Sequence, residues 1–266
     1  MKVGIAGLGT IGKKVARALD AGIPGLSLCG VSVRNTDKAQ KDLGGLSHPV
    51  PVLSIVELAN LADVVVECAP KAAFVGLAGP VVDAGKLLIT VSGAALLENL
   101  DLVERARTRG GRIILTTGAL LGLDAVRAAA EGTIYSATMI TRKPPKSLAD
   151  ARTVIERGID LMAIREPMQL FNGTAREGAR LFPANVNVAA ALGLAGIGPD
   201  RTMLEIWADP AMDRNTHTIV VDADSARLEM KIANVPSEEH PGTGKITALS
   251  VIACLRSLVA PLRVGT

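Results

Sequence analysis

The sequence predicts an α/β protein: an N-terminal doubly wound parallel sheet over residues 1–119, an α+β unit with a mostly antiparallel sheet over 120–240, and a final helix within 241–266 that returns to the first domain. Three observations predict it. From Lys2 to Leu115, short apolar runs alternate with helical stretches, the pattern of a parallel sheet covered on both faces. Beyond Ala119 the pattern changes, and Ile134 to Thr141 alternates as in a sheet with one exposed face. The last stretch, Thr243 to Val259, is amphipathic and stands apart from both.

Composition narrows the function classes. With 266 residues, 48% hydrophobic and 21% charged, the chain can bury real cores and is not disordered. The net charge of +3 is spread over interleaved acids and bases, and aromatics make up only 2%, which excludes a basic, aromatic-studded nucleic-acid surface. No run approaches a membrane span and the chain opens on a strand instead of a leader, so a cytoplasmic protein is expected. Cys29, Cys68 and Cys254 are odd in number and far apart, which suits a reducing compartment and offers no metal-ligand spacing.

Element by element, Lys2 to Ala6 reads as a buried strand running into Gly7-Leu8-Gly9-Thr10-Ile11-Gly12 and a helix from Lys13 to Leu19. This is G-x-G-x-x-G between strand and helix. Gly7 allows the tight turn, Gly9 leaves room for a pyrophosphate against bare backbone, and Gly12 lets the helix pack closely. Thr10 and Ile11 lie in the turn that leads into the helix, whose free N–H groups suit an anion. A Rossmann-type dinucleotide site is therefore expected here; a purely structural glycine turn is the alternative.

The second strand, Leu26 to Val33, ends without the acid that usually holds a ribose 2′-hydroxyl. Ser32 and Arg34 can hold a 2′-phosphate instead, which points to NADP or to use of both NADP and NAD. Asp37 as the missing carboxylate, with Arg34 merely solvated, is the competing reading. Pro51 to Leu53 reads as a brief strand, Ser54 to Glu57 as a capping box, and Ala62 to Cys68 as a buried strand ending in Ala69-Pro70. Strand ends of such sheets meet the ligand, so Ala69 and Pro70 join the cofactor candidates, with Cys68 a packing residue.

A helix over Phe74 to Ala84, a strand over Leu87 to Val91, a turn at Ser92-Gly93-Ala94, a helix over Leu96 to Arg109 and a strand over Arg112 to Leu115 complete six strands. Ser92 and Gly118-Ala119 become the walls of a nicotinamide pocket. In the second half we expect a helix from Leu123 to Glu131, the alternating strand, a helical start after Leu148, an alanine-rich stretch from Thr174 to Leu194, and strands at Thr202 to Trp207, His217 to Val221 and Ala226 to Ile232. Helices should cover one face of that sheet. In the final helix Ile246, Leu249, Ile252 and Leu255 share one face.

Only three histidines exist. His48 and His240 each precede proline in a loop, and His48 has no evident partner. His217 follows the polar loop Asp209 to Thr216, so it is either an acid/base poised near neutral pH or a structural histidine.

The glycine turn, together with Phe171-Asn172-Gly173-Thr174-Ala175-Arg176-Glu177, Leu181-Phe182-Pro183-Ala184-Asn185-Val186-Asn187-Val188-Ala189 and Arg214-Asn215-Thr216-His217, resembles the L-aspartate dehydrogenase family over nearly the whole chain. The resemblance implies NAD(P)-dependent oxidation of L-aspartate to iminoaspartate, feeding quinolinate and NAD biosynthesis. It implies no metal, His217 as the acid/base, and cofactor contacts at Ala119 and Asn187. The family's Asn-Pro-Lys-Thr-Ser loop is here His240-Pro241-Gly242-Thr243-Gly244, which puts a substrate contact from that loop in doubt.

Two substrate carboxylates call for cations or hydrogen-bond donors, and Lys143, Arg214, Thr174 and Ser92 are candidates, each equally a solvated charge or a cap. Asn215 or a carboxylate would orient His217. Two rival readings remain: another amino-acid dehydrogenase or imine reductase on the same plan, and a non-catalytic dinucleotide sensor. A homodimer is the expected assembly.

Overall fold

The structure, a computed structural model, describes residues 1–120, 122–182, 186–239 and 242–265. Its backbone forms two compact units, Met1–Gly118 with Thr247–Arg263, and Ala119–Ile246 with the residues from Val264 onward.

In the first unit the strands β1 (Lys2–Ala6), β2 (Ser27–Ser32), β3 (Val64–Glu67), β4 (Leu87–Thr90) and β5 (Arg112–Leu115) form one parallel sheet in the order β2-β1-β3-β4-β5. Buried apolar runs such as Val64-Val65-Val66 give no alternation because both faces are covered. On one face Val3 and Ile5 pack with Val15, Ala16 and Leu19 of helix α1 (Thr10–Asp20) and with Leu43 of α2 (Thr36–Leu43). On the other, Val65 and Leu88 pack with Leu58 of α3 (Ile55–Leu61), Phe74, Ala78 and Val82 of α4 (Phe74–Asp83), Leu96 of α5 (Gly93–Glu98) and Leu102 of α6 (Asp101–Arg109).

The sheet has five strands, not the expected six. Pro51 to Leu53 makes only an isolated bridge between Val52 and Val31, because prolines at 49 and 51 withhold the N–H groups a ladder needs. Gly93-Ala94 is likewise no turn: a helix begins at Gly93.

The second unit contains α7 (Leu123–Ala130), β6 (Ile134–Lys143), α8 (Arg152–Glu156), β7 (Met168–Thr174), α9 (Ala175–Leu181), α10 (Asn187–Ala195), β8 (Thr202–Ala208), β9 (Thr216–Ala223) and β10 (Arg227–Ala233). Its sheet runs β10-β9-β6-β8-β7, antiparallel except for the parallel β6–β8 pair. The buried face carries Ala137, Met139, Leu204, Ile206, Ile219 and Val221, and the opposite face carries half-buried Ile140, Trp207 and Val220 with exposed Met203.

Strand β7 has no counterpart in the sequence reading. A bulge between Gln169 and Phe171 buries the consecutive residues Leu170 and Phe171, which erases the alternation that marks a strand. The last helix, α11 (Lys245–Val259), keeps Ile252 and Leu255 of its expected face against the core but not Leu249. Val251 and Leu255 join the core of the first unit beside Val15 and Leu19, and Ala248 is buried, while Leu249 is 57% exposed. The buried stripe also takes in the smaller Thr247, Ala248 and Val251, which a reading by side-chain size passes over.

Candidate active site

The sheet order places the topological switch between β1 and β3, the crevice where such folds take ligands. Gly7 lies there with φ of 99°, and a Cβ added to it would come within 3.0 Å of the Ala69 backbone. At Gly12 an added Cβ would fall 2.1 Å from the Gly7 carbonyl oxygen, so glycine is obligatory for the close approach of helix to turn. Around Gly9 a Cβ would meet nothing within 4 Å. Helix α1 starts at Thr10 without a side-chain cap, leaving the first-turn N–H groups of Thr10, Ile11 and Gly12 for an anion. These residues fit a dinucleotide pyrophosphate.

At the end of β2, Ser32 is buried and its carbonyl accepts the Gly7 N–H at 2.9 Å. Arg34 is exposed just beyond, and Asp37 is exposed in the first turn of α2, whose N-cap Asn35 accepts from the Lys38 N–H at 2.9 Å. No carboxylate ends the strand.

A buried carboxylate, Glu67, organises the neighbouring loops, and sequence reasoning passed over it. It is fully buried, accepts from the Ala69 N–H at 2.8 Å and from the Thr90 hydroxyl at 2.6 Å, and Thr90 Oγ1 in turn accepts from the Ser92 N–H at 2.9 Å. Burial pushes its carboxyl above the usual carboxylate range. The loops after β3 and β4, which carry the candidates Ala69, Pro70 and Ser92, thus hang on one side chain. The Cys68 thiol faces the Gly7 carbonyl at 3.2 Å, and burial pushes it far above its ordinary value, which fits packing and no nucleophile.

In the second unit, β6 and β9 put Thr141 opposite His217, with Lys143 two residues further along the same buried face. His217 and Lys143 are each 5% exposed. Thr141 Oγ1 lies 3.0 Å from His217 Nδ1. The ring is therefore oriented by Thr141, not by Asn215 or a carboxylate, because strand pairing brings the threonine across. Burial first, and then the Lys143 charge, lower the imidazole from 6.5 to about 3, and burial lowers Lys143 from 10.5 to about 8. The pair is a neutral base beside a weakened cation.

Other candidates separate from this cluster. Thr174 is the N-cap of α9, with Glu177 closing a capping box, so its hydroxyl serves the helix. Arg214 is exposed in a two-pronged ion pair with Asp213. Asn215 is half-buried and its backbone carbonyl accepts the Asn234 N–H at 2.8 Å. Asn187 is the exposed first residue of α10, and the Ala119 carbonyl accepts from Asn234 Nδ2 at 3.1 Å. His48 is exposed as expected but does have a partner: its Nδ1 lies 3.2 Å from Asp20. His240, Pro183 and Asn185 lie outside the described residues. Among the described residues no cluster of three or more His, Cys, Asp or Glu side chains could hold a metal ion, and no helix is long and apolar enough to cross a membrane.

Comparison with known proteins completes the picture. Residues 124–258 match the family model described as aspartate dehydrogenase, C-terminal, and residues 7–116 match that described as homoserine dehydrogenase, NAD binding domain. The chain is similar to an L-aspartate dehydrogenase of Bradyrhizobium diazoefficiens, 56% identical over all of this chain and 94% of that protein. It is 51% identical to L-aspartate dehydrogenase 3 of Bordetella bronchiseptica, over 99% of this chain and 97% of that one. In fold it is similar to the crystal structure of aspartate dehydrogenase from Thermotoga maritima, with a TM-score of 0.75 at 24% identity over 100% and 99% of the two chains.

Proposed function

This chain belongs to the L-aspartate dehydrogenase family, and from that premise we propose how its residues carry the reaction. The protein is an NAD(P)-dependent oxidoreductase that oxidises L-aspartate at its amino-bearing carbon to iminoaspartate. Bound at the glycine turn, the dinucleotide supplies the hydride acceptor. Gly7, Gly9 and the Thr10–Gly12 helix start would hold its pyrophosphate, Ala69, Pro70 and Ser92 would line its site, and Ala119 and Asn187 are proposed as further cofactor contacts.

His217 takes the amine proton. With its Nδ1–H donated to Thr141 Oγ1, Nε2 keeps a lone pair, and burial keeps the ring uncharged and able to accept. Lys143 receives a substrate carboxylate. The arriving negative charge raises the proton affinity of His217, which strengthens the base when substrate is present. The single observation that carries this reading is the buried Thr141, Lys143 and His217 group on one face of one sheet.

The test is oxidation of L-aspartate followed by the absorbance of the reduced nicotinamide. His217→Ala should lower kcat by at least about 100-fold while the dinucleotide Kd stays within about twofold. Near-normal turnover would remove the assignment.

The finer reading is NADP in preference to NAD with use of both, supported by exposed Arg34 and the lack of a carboxylate at the end of β2; kcat/KM ratios for the two dinucleotides decide it. The outer sheet face bearing Ile140, Trp207 and Met203 supports a homodimer, which sedimentation velocity reads directly. Three free thiols suit the cytoplasm, where the iminoaspartate formed would feed quinolinate and NAD biosynthesis.

A further inference from the structure

Asn234 carries the one buried side-chain polar atom among the described residues that has no hydrogen-bond partner, its Oδ1. The residue is 5% exposed. Its Nδ2 donates to the Ala119 carbonyl at 3.1 Å, and because a carbonyl can only accept, that bond fixes which end of the amide points where. Oδ1 is left as an acceptor with nothing to accept. Such an atom costs stability unless a partner arrives.

Two further features mark the atom as a ligand contact. The Asn234 N–H donates to the Asn215 carbonyl at 2.8 Å, continuing the β9–β10 ladder one step beyond the Thr216–Ala233 pair. Ile232 is paired with His217, so Asn234, two residues on, projects from the same face as the imidazole. Gly244, held by a bridge to Pro236, lies beside Oδ1: a Cβ there would sit 3.0 Å from the oxygen. Glycine at that position leaves the acceptor uncovered.

We infer that Asn234 Oδ1 accepts a hydrogen bond from an N–H group of a reactant, while Nδ2 holds the Ala119 turn in place. The substrate carboxylates only accept, so the donors are the carboxamide of the nicotinamide and the amino group of the substrate. This rests on the aspartate dehydrogenase reading, which the His217→Ala measurement tests separately.

Full-length wild type and Asn234→Leu are titrated with NAD and with 3-acetylpyridine adenine dinucleotide, which has a methyl ketone and no N–H in place of the carboxamide. If the carboxamide is the donor, wild type prefers NAD by up to about tenfold and the variant loses that preference. If the amino group is the donor, the preference is equal in both proteins and the KM for L-aspartate rises by up to about tenfold in the variant. Gly244→Ala, which covers Oδ1 without changing the amide, should act in the same direction and serves if Asn234→Leu does not fold. Unchanged dinucleotide preference together with unchanged KM in a folded variant overturns the inference.

Discussion

At His217 the fold sets a protonation state. Unfolded, the ring takes up a proton below about pH 6.5; folded, it stays neutral down to about pH 3. Across that window the unfolded chain holds the extra proton, so stability falls as pH falls, by about 1.4 kcal/mol per pH unit from this group. Lys143 acts at the alkaline end. Between about 8 and 10.5 the folded protein has released a proton that the unfolded chain keeps, so stability rises with pH there. His217→Leu should therefore flatten the loss of unfolding free energy between pH 6.5 and about 4, measured by urea titration at several pH values. An unchanged slope would mean the folded ring protonates freely. In the sequence His217 was legible as either an acid/base or a structural histidine, with only the family resemblance favouring the first. Thr141, Glu67 and Asn234 were not, because each is defined by a partner 76, 23 or 115 residues away, and only strand register and loop placement supply those partners.

Among the elements, the loops after β3 and β4 owe their shape to Glu67, whose carboxylate takes both the Ala69 N–H and the Thr90 hydroxyl. Glu67→Leu removes the acceptor from the buried Thr90 hydroxyl, a loss of about 1–3 kcal/mol when left unmade, and from the half-buried Ala69 N–H. Dinucleotide affinity and Tm should both fall, and Glu67→Gln, which keeps one acceptor for Ala69, should recover much of each. Calorimetric titration with NAD checks this; a leucine variant that binds as wild type does would separate Glu67 from the site. The parallel strands were readable because runs such as Val64 to Val66 are apolar without interruption, and the Gly7–Gly12 turn because its spacing is rigid. Strand β7 and part of the buried face of α11 were not readable. A bulge hides the first, and small residues such as Ala248 carry the second.

Over the whole molecule, the change from a parallel sheet to a mixed one was visible in the change of hydrophobic period near Ala119. The first unit is discontinuous in sequence: Val251 and Leu255 of α11 complete the core built on Val3, Val15 and Leu19. A fragment of residues 1–118 should therefore lack a cooperative thermal transition, and joining residues 245–263 to it through a flexible linker should restore one, as followed by far-UV circular dichroism. A cooperative melt of the short fragment would show that the helix is dispensable. On the ribosome this arrangement inverts the usual order of domain completion. The nucleotide-binding half emerges first yet waits, on the order of ten seconds at ordinary elongation rates, for the last helix to be synthesised. During that wait Val15 and Leu19 lack the Val251 and Leu255 side chains that share their core in the finished unit.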